Sequence, residues 1–227
     1  MHLAIIIPAY NEEKVIGKVI NSLPRKIHGI HKISTIVVND GSTDDTIKEI
    51  KKTKAKLINH VINLGCGSAT KTGLEAAKKI KADIAVTLDS DGQHDPRDIR
   101  KVIKPIMNKE ADLVIGTRLI RSRGMPAVKK FGNIFLNLVT FILSGYLVSD
   151  SQSGFRAFSR SFLKKIKLRA MGYEVCSETV MEAARFHARV QEIPIKVNYS
   201  KYSKRKGQSI LNGLYIVSRL ILHRIRG

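Results

Sequence analysis

The chain has 227 residues, enough for one sizeable domain or a domain with a small appendage, and its 43% hydrophobic content is ordinary for a globular protein. Its two cysteines, Cys66 and Cys176, lack C-x-x-C spacing, which argues against a zinc site or a disulfide scaffold and favours a reducing, intracellular setting. The net charge of +21 is uneven: residues 1–117 carry 19 Lys and Arg against 14 Asp and Glu, residues 118–227 carry 21 against 5, so the second half is expected to meet a polyanion such as nucleic acid, anionic lipid or a phosphorylated substrate.

The N-terminus enters a strand directly, Ala4–Ile7, with no pattern of a signal peptide. Asn11 is expected to cap a helix running to about Leu23, with Glu12 and Glu13 in its first turn, where the dipole favours acids. Ile33–Val38 reads as a second strand, Thr43 to about Thr53 as a second helix, Leu57–Ile62 as a third strand and Ser68–Ile80 as a third helix. Ile84–Leu88, apolar and rich in β-branched residues, predicts a fourth strand, followed by a helix over Pro96–Met107 and a fifth strand at Leu113–Gly116. This alternation predicts an α/β fold with a mainly parallel, doubly wound sheet flanked by helices, and such sheets bind ligands beyond the carboxyl ends of their strands. The polar clusters Tyr10 to Glu13, Asn39 to Ser42, Asn63 to Gly65, Asp89 to Gln93 and Thr117-Arg118 fall there.

The rhythm changes after Arg118. Arg121, Arg123, Lys129 and Lys130 spread through a loop with Gly124 and Pro126, and the apolar stretch Ile134–Val148 follows. At 15 residues that stretch is short for a membrane span, which takes about 20, so it reads as a buried or an interfacial helix. Ser153 to Phe158 is a turn into a short strand, Glu178–Ala188 a helix and Val190–Val197 a strand. Finally Ile210, Leu214, Val217, Ile221 and Ile225 make one stripe of a basic amphipathic helix, which suits either a membrane interface or the domain's own core.

Asp89 and Asp91 stand two residues apart at the end of the fourth strand. Clustered carboxylates repel and resist desolvation unless a cation lies between them, and Mg²⁺ or Mn²⁺ commonly takes one or two carboxylates plus substrate phosphates. The functional reading is a metal–diphosphate site; the plain alternative is a solvated acidic turn. Asp40, ending the second strand, suits a base or ribose, or else a helix-capping turn with Gly41-Ser42-Thr43. Arg118 can clamp a phosphate in a planar fork, or make a surface ion pair.

Taken together, Ile7-Pro8-Ala9-Tyr10-Asn11-Glu12, Asn39 to Asp44, Asn63-x-Gly65, Asp89-Ser90-Asp91-Gly92-Gln93-His94, Gly116-Thr117-Arg118 and Ser153-Gly154-Phe155-Arg156 resemble, in order, the motifs of the GT-A family 2 glycosyltransferases, and most of all the branch of dolichyl-phosphate mannose synthases and glucosyltransferases. The resemblance spans about residues 3–210 and implies a GT-A domain over 1–210, with a nucleotide-sugar half 1–118 and an acceptor half 119–210, then a C-terminal helix over 211–227. It implies that Pro8, Tyr10, Asn11, Glu12 and Asp40 line the nucleotide pocket, that Asp89, Asp91 and Gln93 hold Mg²⁺ or Mn²⁺, and that Arg118 binds phosphate. Lys129 and Asn133 take the positions of an Arg and a Ser that grip the lipid phosphate, and Lys204 and Lys206 those of a basic Gly-x-Ser segment, with Lys in place of Arg. The implied partners are GDP-mannose or UDP-glucose, a dolichyl or polyprenyl phosphate, and a membrane surface. The implied setting is peripheral, at the cytoplasmic face, by its own apolar helices or through a membrane protein.

Attack by a phosphate monoester needs no general base. A hydroxyl acceptor would need one, for which Asp150 and Glu178 are the candidates, although structural roles suit both. Two further readings compete. Gly65-Cys66-Gly67-Ser68-Ala69-Thr70 nearly forms a dinucleotide-binding fingerprint, but Thr70 replaces the third Gly or Ala and the run follows the third strand. A nucleic-acid binder would explain the charge but not the acidic turn, and the chain shows no specific nucleic-acid motif.

Overall fold

A computed structural model describes residues 1–118 and 127–197, and for 127–130 the helical backbone alone. Seven strands form one sheet: β1 (His2–Ala9), β2 (Lys32–Asp40), β3 (Lys56–His60), β4 (Ile84–Thr87), β5 (Leu113–Thr117), β6 (Arg156–Ser159) and β7 (Val190–Pro194). Their order is β3-β2-β1-β4-β6-β5-β7, parallel throughout except for β6, which runs antiparallel between β4 and β5. The helices are α1 (Ile16–Asn21), α2 (Thr46–Lys51), α3 (Cys66–Lys79), α4 (Ile99–Met107), α5 (Ala127–Ser144), α6 (Arg160–Lys165) and α7 (Val175–Arg185).

The central strands are apolar on both faces, as a sheet covered by helices on both sides requires. In β1, Leu3, Ile5 and Ile7 join one core with Ile16, Val19 and Ile20 of α1, Ile50 of α2, and Ile99, Val102 and Ile103 of α4. The alternate residues Ala4 and Ile6 join the opposite core with Leu74 and Ala77 of α3, Phe162 and Leu163 of α6, and Val175, Val180 and Ala183 of α7. Burying each such aliphatic side chain stabilises by roughly 1.5–3 kcal/mol. Gly73 brings α3 against β1, since a Cβ there would overlap the Ile6 side chain.

Several boundaries differ from expectation. Asn11 does not cap α1: its backbone has φ 52, and the helix starts at Ile16 after a turn in which Val15 and Ile16 donate to the Glu12 carbonyl. The Asn11 side chain instead accepts from the Thr43 N–H of the neighbouring loop, and that delays the helix. The second helix begins at Thr46 rather than Thr43, because Asp44 accepts from the Thr46 backbone N–H and hydroxyl and holds the chain in a turn. Pro96 does begin a helical turn, a 3₁₀ turn over Pro96–Asp98 capped by the Asp95 side chain on the Arg97 N–H, and α4 follows at Ile99. The apolar stretch begins its helix at Ala127, seven residues before Ile134.

Helix α5 is apolar on two faces. Leu136 and Thr140 point inward, and Val139, Leu143 and Met181 of α7 pack against Leu136. Phe131, Ile134, Phe135, Leu138, Phe141 and Ile142 point outward and remain exposed, Phe131 by 76% and Ile142 by 70%, so burial in the core accounts for one face alone. No helix among the described residues is long and apolar enough to cross a membrane. The stripe at 210–225 lies outside the described residues.

Candidate active site

Strand β4 ends at Thr87, whose hydroxyl donates to the Gly154 carbonyl at 2.7 Å and ties the strand end to the turn before β6. Asp89 lies against Gly154, where a Cβ would overlap its carboxylate; the glycine is what leaves room for the acid. Asp91 Oδ1 accepts from the Gln93 N–H at 2.9 Å and Oδ2 from the Gln93 side-chain amide at 2.6 Å. The Asp89 side chain is 47% exposed but surrounded closely enough that desolvation raises its pKa, opposed by Arg118 and Arg156. Desolvation also raises the Asp91 pKa, and the Asp89 charge adds to the rise. The two carboxylates therefore share one field.

His94 belongs to the same turn. Burial depresses its pKa to about 4, so the ring is neutral near neutral pH. Its ring packs on Phe155 at 5.3 Å, and its Nδ1 lies 3.7 Å from Asp89 Oδ2 with no hydrogen-bond partner. Two hard carboxylates, each disfavoured as an anion, are a pair of oxygen donors that fits Mg²⁺ or Mn²⁺. Among the described residues no three His, Cys, Asp or Glu side chains form a closed cage, so such an ion would complete its shell with phosphate or water oxygens.

Arg118 follows β5 and meets Asp150, fully buried, through Nε to Oδ2 at 2.8 Å and Nη2 to Oδ1 at 2.7 Å, while its backbone N–H donates to the same Oδ2 at 2.9 Å. The surroundings of Asp150 are equally fixed. Glu192 of β7 accepts from the N–H groups of Ser149 and Asp150, and Asn137 of α5 bridges the Ser149 carbonyl and the Ser151 N–H. Arg156, buried, donates to the carbonyls of Ser151, Ser153 and Cys176. This corner, in which Asp150 and Glu192 balance Arg118 and Arg156, is thus built from β5, the 149–153 turn, β7 and the outward-apolar helix α5.

On the other side of the sheet's carboxyl edge, the loops after β1 and β2 lock together. The Asn11 N–H donates to Ser42 Oγ at 2.9 Å, Asn11 Oδ1 accepts from the Thr43 N–H at 2.9 Å, and the Glu12 N–H donates to Thr46 Oγ1 at 2.7 Å. Tyr10 stays 44% exposed beside them, and Pro8 is half-buried. Asp40 is buried and does not cap a turn with Gly41 to Thr43. It accepts from His60 Nδ1 at 2.8 Å and from the N–H groups of Leu64 and Gly65 at 3.0 and 2.8 Å, holding the β3–α3 loop.

Of the expected site residues, the acidic turn and Arg118 come together: the charge of Arg118 acts directly on Asp89 and His94. Pro8, Tyr10, Asn11, Glu12 and Asp40 lie along the same carboxyl edge. Asn133 is half-buried on α5, one turn past Lys129, whose side chain lies outside the described residues with Lys204 and Lys206. The chain leaves the described region next to the acidic turn, where Val197 pairs with His94 and the Lys196 N–H donates to Asp98 at 2.7 Å. The two base candidates are committed elsewhere: Asp150 to Arg118, and Glu178 to the N–H groups of Arg169 and Ala170 at 2.7 and 2.9 Å. The dinucleotide-like run meets a blocked helix end: the Met171 carbonyl accepts from the Gly67 and Ser68 N–H groups, and a Cβ at Gly65 or Gly67 would overlap it or its neighbours. The sequence reading missed the roles of Asp150, Glu192, Asn137 and Gly154; the one local signal was Asp150-Ser151 just ahead of Ser153-Gly154-Phe155-Arg156.

The sequence pattern of Glycosyl transferase family 2 matches residues 4–167. The chain is 44% identical over 240 residues to a UDP-N-acetylglucosamine–dolichyl-phosphate N-acetylglucosaminyltransferase of Methanococcus voltae, covering 96% of this chain and 94% of that one. It is 26% identical over 232 residues to a dolichol-phosphate mannosyltransferase of Pyrococcus furiosus, covering 97% of this chain and 64% of that enzyme. The fold matches glucosyl-3-phosphoglycerate synthase of Mycobacterium tuberculosis with a TM-score of 0.77 and 21% identity, over 99% of this chain and 79% of that one. A crystal structure of that synthase with Mn²⁺, uridine diphosphate and glucosyl-3-phosphoglycerate matches with a TM-score of 0.71 and 22% identity, over 98% and 79% of the two chains.

Proposed function

The chain belongs to glycosyl transferase family 2, and from that premise we propose that it moves a sugar from a nucleotide-diphosphate donor to dolichyl or polyprenyl phosphate, with Mg²⁺ or Mn²⁺ at Asp89 and Asp91. The observation that carries the acceptor half is the outer stripe of α5. A contiguous exposed apolar face marks an interaction site, and through Asn137 this helix is stapled to the 149–151 turn that holds Arg118. A lipid acceptor needs an apolar bed beside a fixed arginine that can meet phosphate. The occupant of the stripe is the membrane surface: the half of the chain that carries α5 has 21 Lys and Arg against 5 Asp and Glu, which suits anionic headgroups. The protein then works peripherally, on the leaflet that displays the lipid phosphate, and on the cytoplasmic side if the donor is cytoplasmic.

The donor of first choice is UDP-N-acetylglucosamine, on the strength of the 44% identical relative that spans 96% of this chain. UDP-glucose and GDP-mannose are its competitors. Tyr10, Asn11, Glu12 and Pro8 line the nucleotide side, and Asp40 shapes it by holding the loop that carries Asn63 to Gly65. Arg118 serves phosphate as a charge rather than as a fork, since its Nε and Nη2 are held on Asp150. Asn133, Lys129, Lys204 and Lys206 serve the acceptor phosphate.

The chemistry follows from charge. A phosphate monoester has a second pKa of about 6 and is mostly a dianion at neutral pH, so it attacks without losing a proton to a base. One acceptor oxygen bonds to the anomeric carbon, the bond from that carbon to the donor diphosphate breaks, and the nucleoside diphosphate leaves with the electron pair, inverting the centre. A divalent ion, when bound, would offset the charge that builds on the leaving diphosphate. Asp89, Asp91 and Gln93 would hold that ion, the Gln93 amide also orienting Asp91, and Arg118 would compensate the approach of two anions. A hydroxyl acceptor would require a base, and both Asp150 and Glu178 spend their oxygens on Arg118 and on backbone N–H groups. This supports the phosphate acceptor over the hydroxyl one.

The test is transfer of radiolabelled sugar from UDP-N-acetylglucosamine, UDP-glucose and GDP-mannose to dolichyl phosphate and to hydroxyl acceptors, with Mg²⁺, with Mn²⁺ and with chelator. Metal-dependent labelling of dolichyl phosphate is expected. Labelling of hydroxyl acceptors alone would overturn the lipid reading and leave the transferase reading standing.

A further inference from the structure

We propose that His94 is a positioning residue for the acidic turn, its Nδ1–H holding the Asp89 carboxylate in the orientation that grips a divalent cation. The inference rests on the cation reading of Asp89 and Asp91 given above. Its own observation is an anomaly: a nitrogen sealed inside the protein, 3.7 Å from Asp89 Oδ2, with no hydrogen-bond partner. Buried polar atoms are nearly always paired, and an exception asks for a missing partner. At 3.7 Å the contact is longer than a hydrogen bond, so the pair stands open.

The geometry says which member moves. The His94 ring is 1% exposed, is packed on Phe155 and sits on a residue whose backbone pairs with Val197. It is clamped from two directions. Asp89 is 47% exposed and has Gly154, a residue without a side chain, behind it. A modest rotation of the carboxylate closes the gap to a hydrogen bond. One oxygen then belongs to His94 and the other is presented to the cleft, beside Asp91. Histidine and carboxylate partners in this relation fix ligand direction at metal sites, and losing the outer partner commonly weakens metal binding about 10–100-fold. Asp91 already has such a partner in Gln93, whose amide and backbone N–H hold its two oxygens. His94 supplies the corresponding restraint for Asp89, so each acid of the turn has its own orienting neighbour.

The relation can be separated from a merely structural histidine by side-chain geometry. The amide nitrogen of Asn lies about where Nδ1 of His lies, whereas that of Gln reaches toward the Nε2 position. Mn²⁺ binding to the full chain, in the presence of uridine diphosphate, is measured by the free-ion signal in electron paramagnetic resonance, and the melting temperature of each variant is recorded. His94→Asn should bind Mn²⁺ within a few-fold of the parent, and His94→Gln about 10–100-fold more weakly. Pulsed resonance on the bound ion should show no directly coordinated histidine nitrogen. Equal affinity of the two variants, or a directly bound nitrogen that disappears in His94→Gln, would overturn the positioning role. If the parent itself fails to bind Mn²⁺, the cation reading falls too. Loss of binding in Asp89→Asn, with both His94 variants unchanged, removes the inference and spares that reading.

Discussion

Arg118 and Asp150 form a two-pronged ion pair, 2.8 and 2.7 Å, across 32 residues of sequence, and the Arg118 backbone N–H donates to the same carboxylate. Asp150 is fully buried and Arg118 is 15% exposed, so neither charge has enough water to stand alone. The pair converts a flexible side chain into a fixed plane at the edge of the acidic cleft.

Asp150→Asn should therefore lower stability by about 3 kcal/mol, the low end for breaking a buried pair, because Asn keeps one acceptor. That corresponds to a Tm lower by about 6 °C or more at this size. Turnover should fall while the shape of its pH profile is kept. Disappearance of one limb of that profile would instead identify Asp150 as a general base.

Gly154→Ala tests the seat of Asp89. The new methyl would overlap the carboxylate, so either Asp89 or the 153–155 turn must shift. The expected cost is about 1–3 kcal/mol of stability, together with weaker Mn²⁺ binding. Unaltered melting and unaltered binding would refute the close contact.

Asp91→Asn should separate function from stability. The folded pKa of Asp91 lies above its ordinary value, through desolvation and the Asp89 charge, so above that pKa the ionised group costs folding free energy. Without metal and at neutral pH, the neutral amide should raise the melting temperature. Metal-dependent transfer should fall by about 100-fold or more, the scale of lost electrostatic stabilisation. Calorimetry and the transfer assay on one preparation check both halves.

Asp112 gives a pH signature remote from the cleft. Hydrogen bonds from Arg189, 2.9 and 3.2 Å from the guanidinium and 3.1 Å from the backbone, hold its pKa below the ordinary 3.8 and join the starts of β5 and β7. A carboxylate with a lowered folded pKa stabilises above its unfolded pKa and loses that contribution as pH falls through the folded one. Arg189 is 57% exposed, so the margin of the parent over Asp112→Asn should be about 0.5–1 kcal/mol at pH 7. It should vanish well below pH 3.8. A margin that persists in acid would contradict the assignment.

Phe135→Asp and Ile142→Asp place charge on the outer stripe of α5, where about half of Phe135 and most of Ile142 face outward. Flotation with vesicles containing anionic lipid should drop several-fold, with the smaller change in melting temperature for Ile142→Asp, and transfer to detergent-dispersed acceptor should change less. Equal flotation would remove the lipid surface as the occupant of this face.

Periodicity and strand-end chemistry were enough to read the parallel sheet and to find Asp89, Asp91 and Arg118 near its carboxyl edge, because apolar runs and turn residues act locally. The start of α1 was misread because Asn11 looks like a cap, and its side chain turns out to serve the Thr43 N–H from the neighbouring loop. The antiparallel insertion of β6, the pairing of Asp150 with Arg118, the seat Gly154 leaves for Asp89 and the unpaired nitrogen of His94 all join positions far apart in the chain or depend on how side chains fill space. Hydrophobic pattern and backbone preference are written residue by residue, so the sequence by itself determined the layers and the edge that carries the chemistry. Which charge faces which, and with how little water, is decided by packing, and the tertiary structure alone set Arg118 and Arg156 beside the acidic turn.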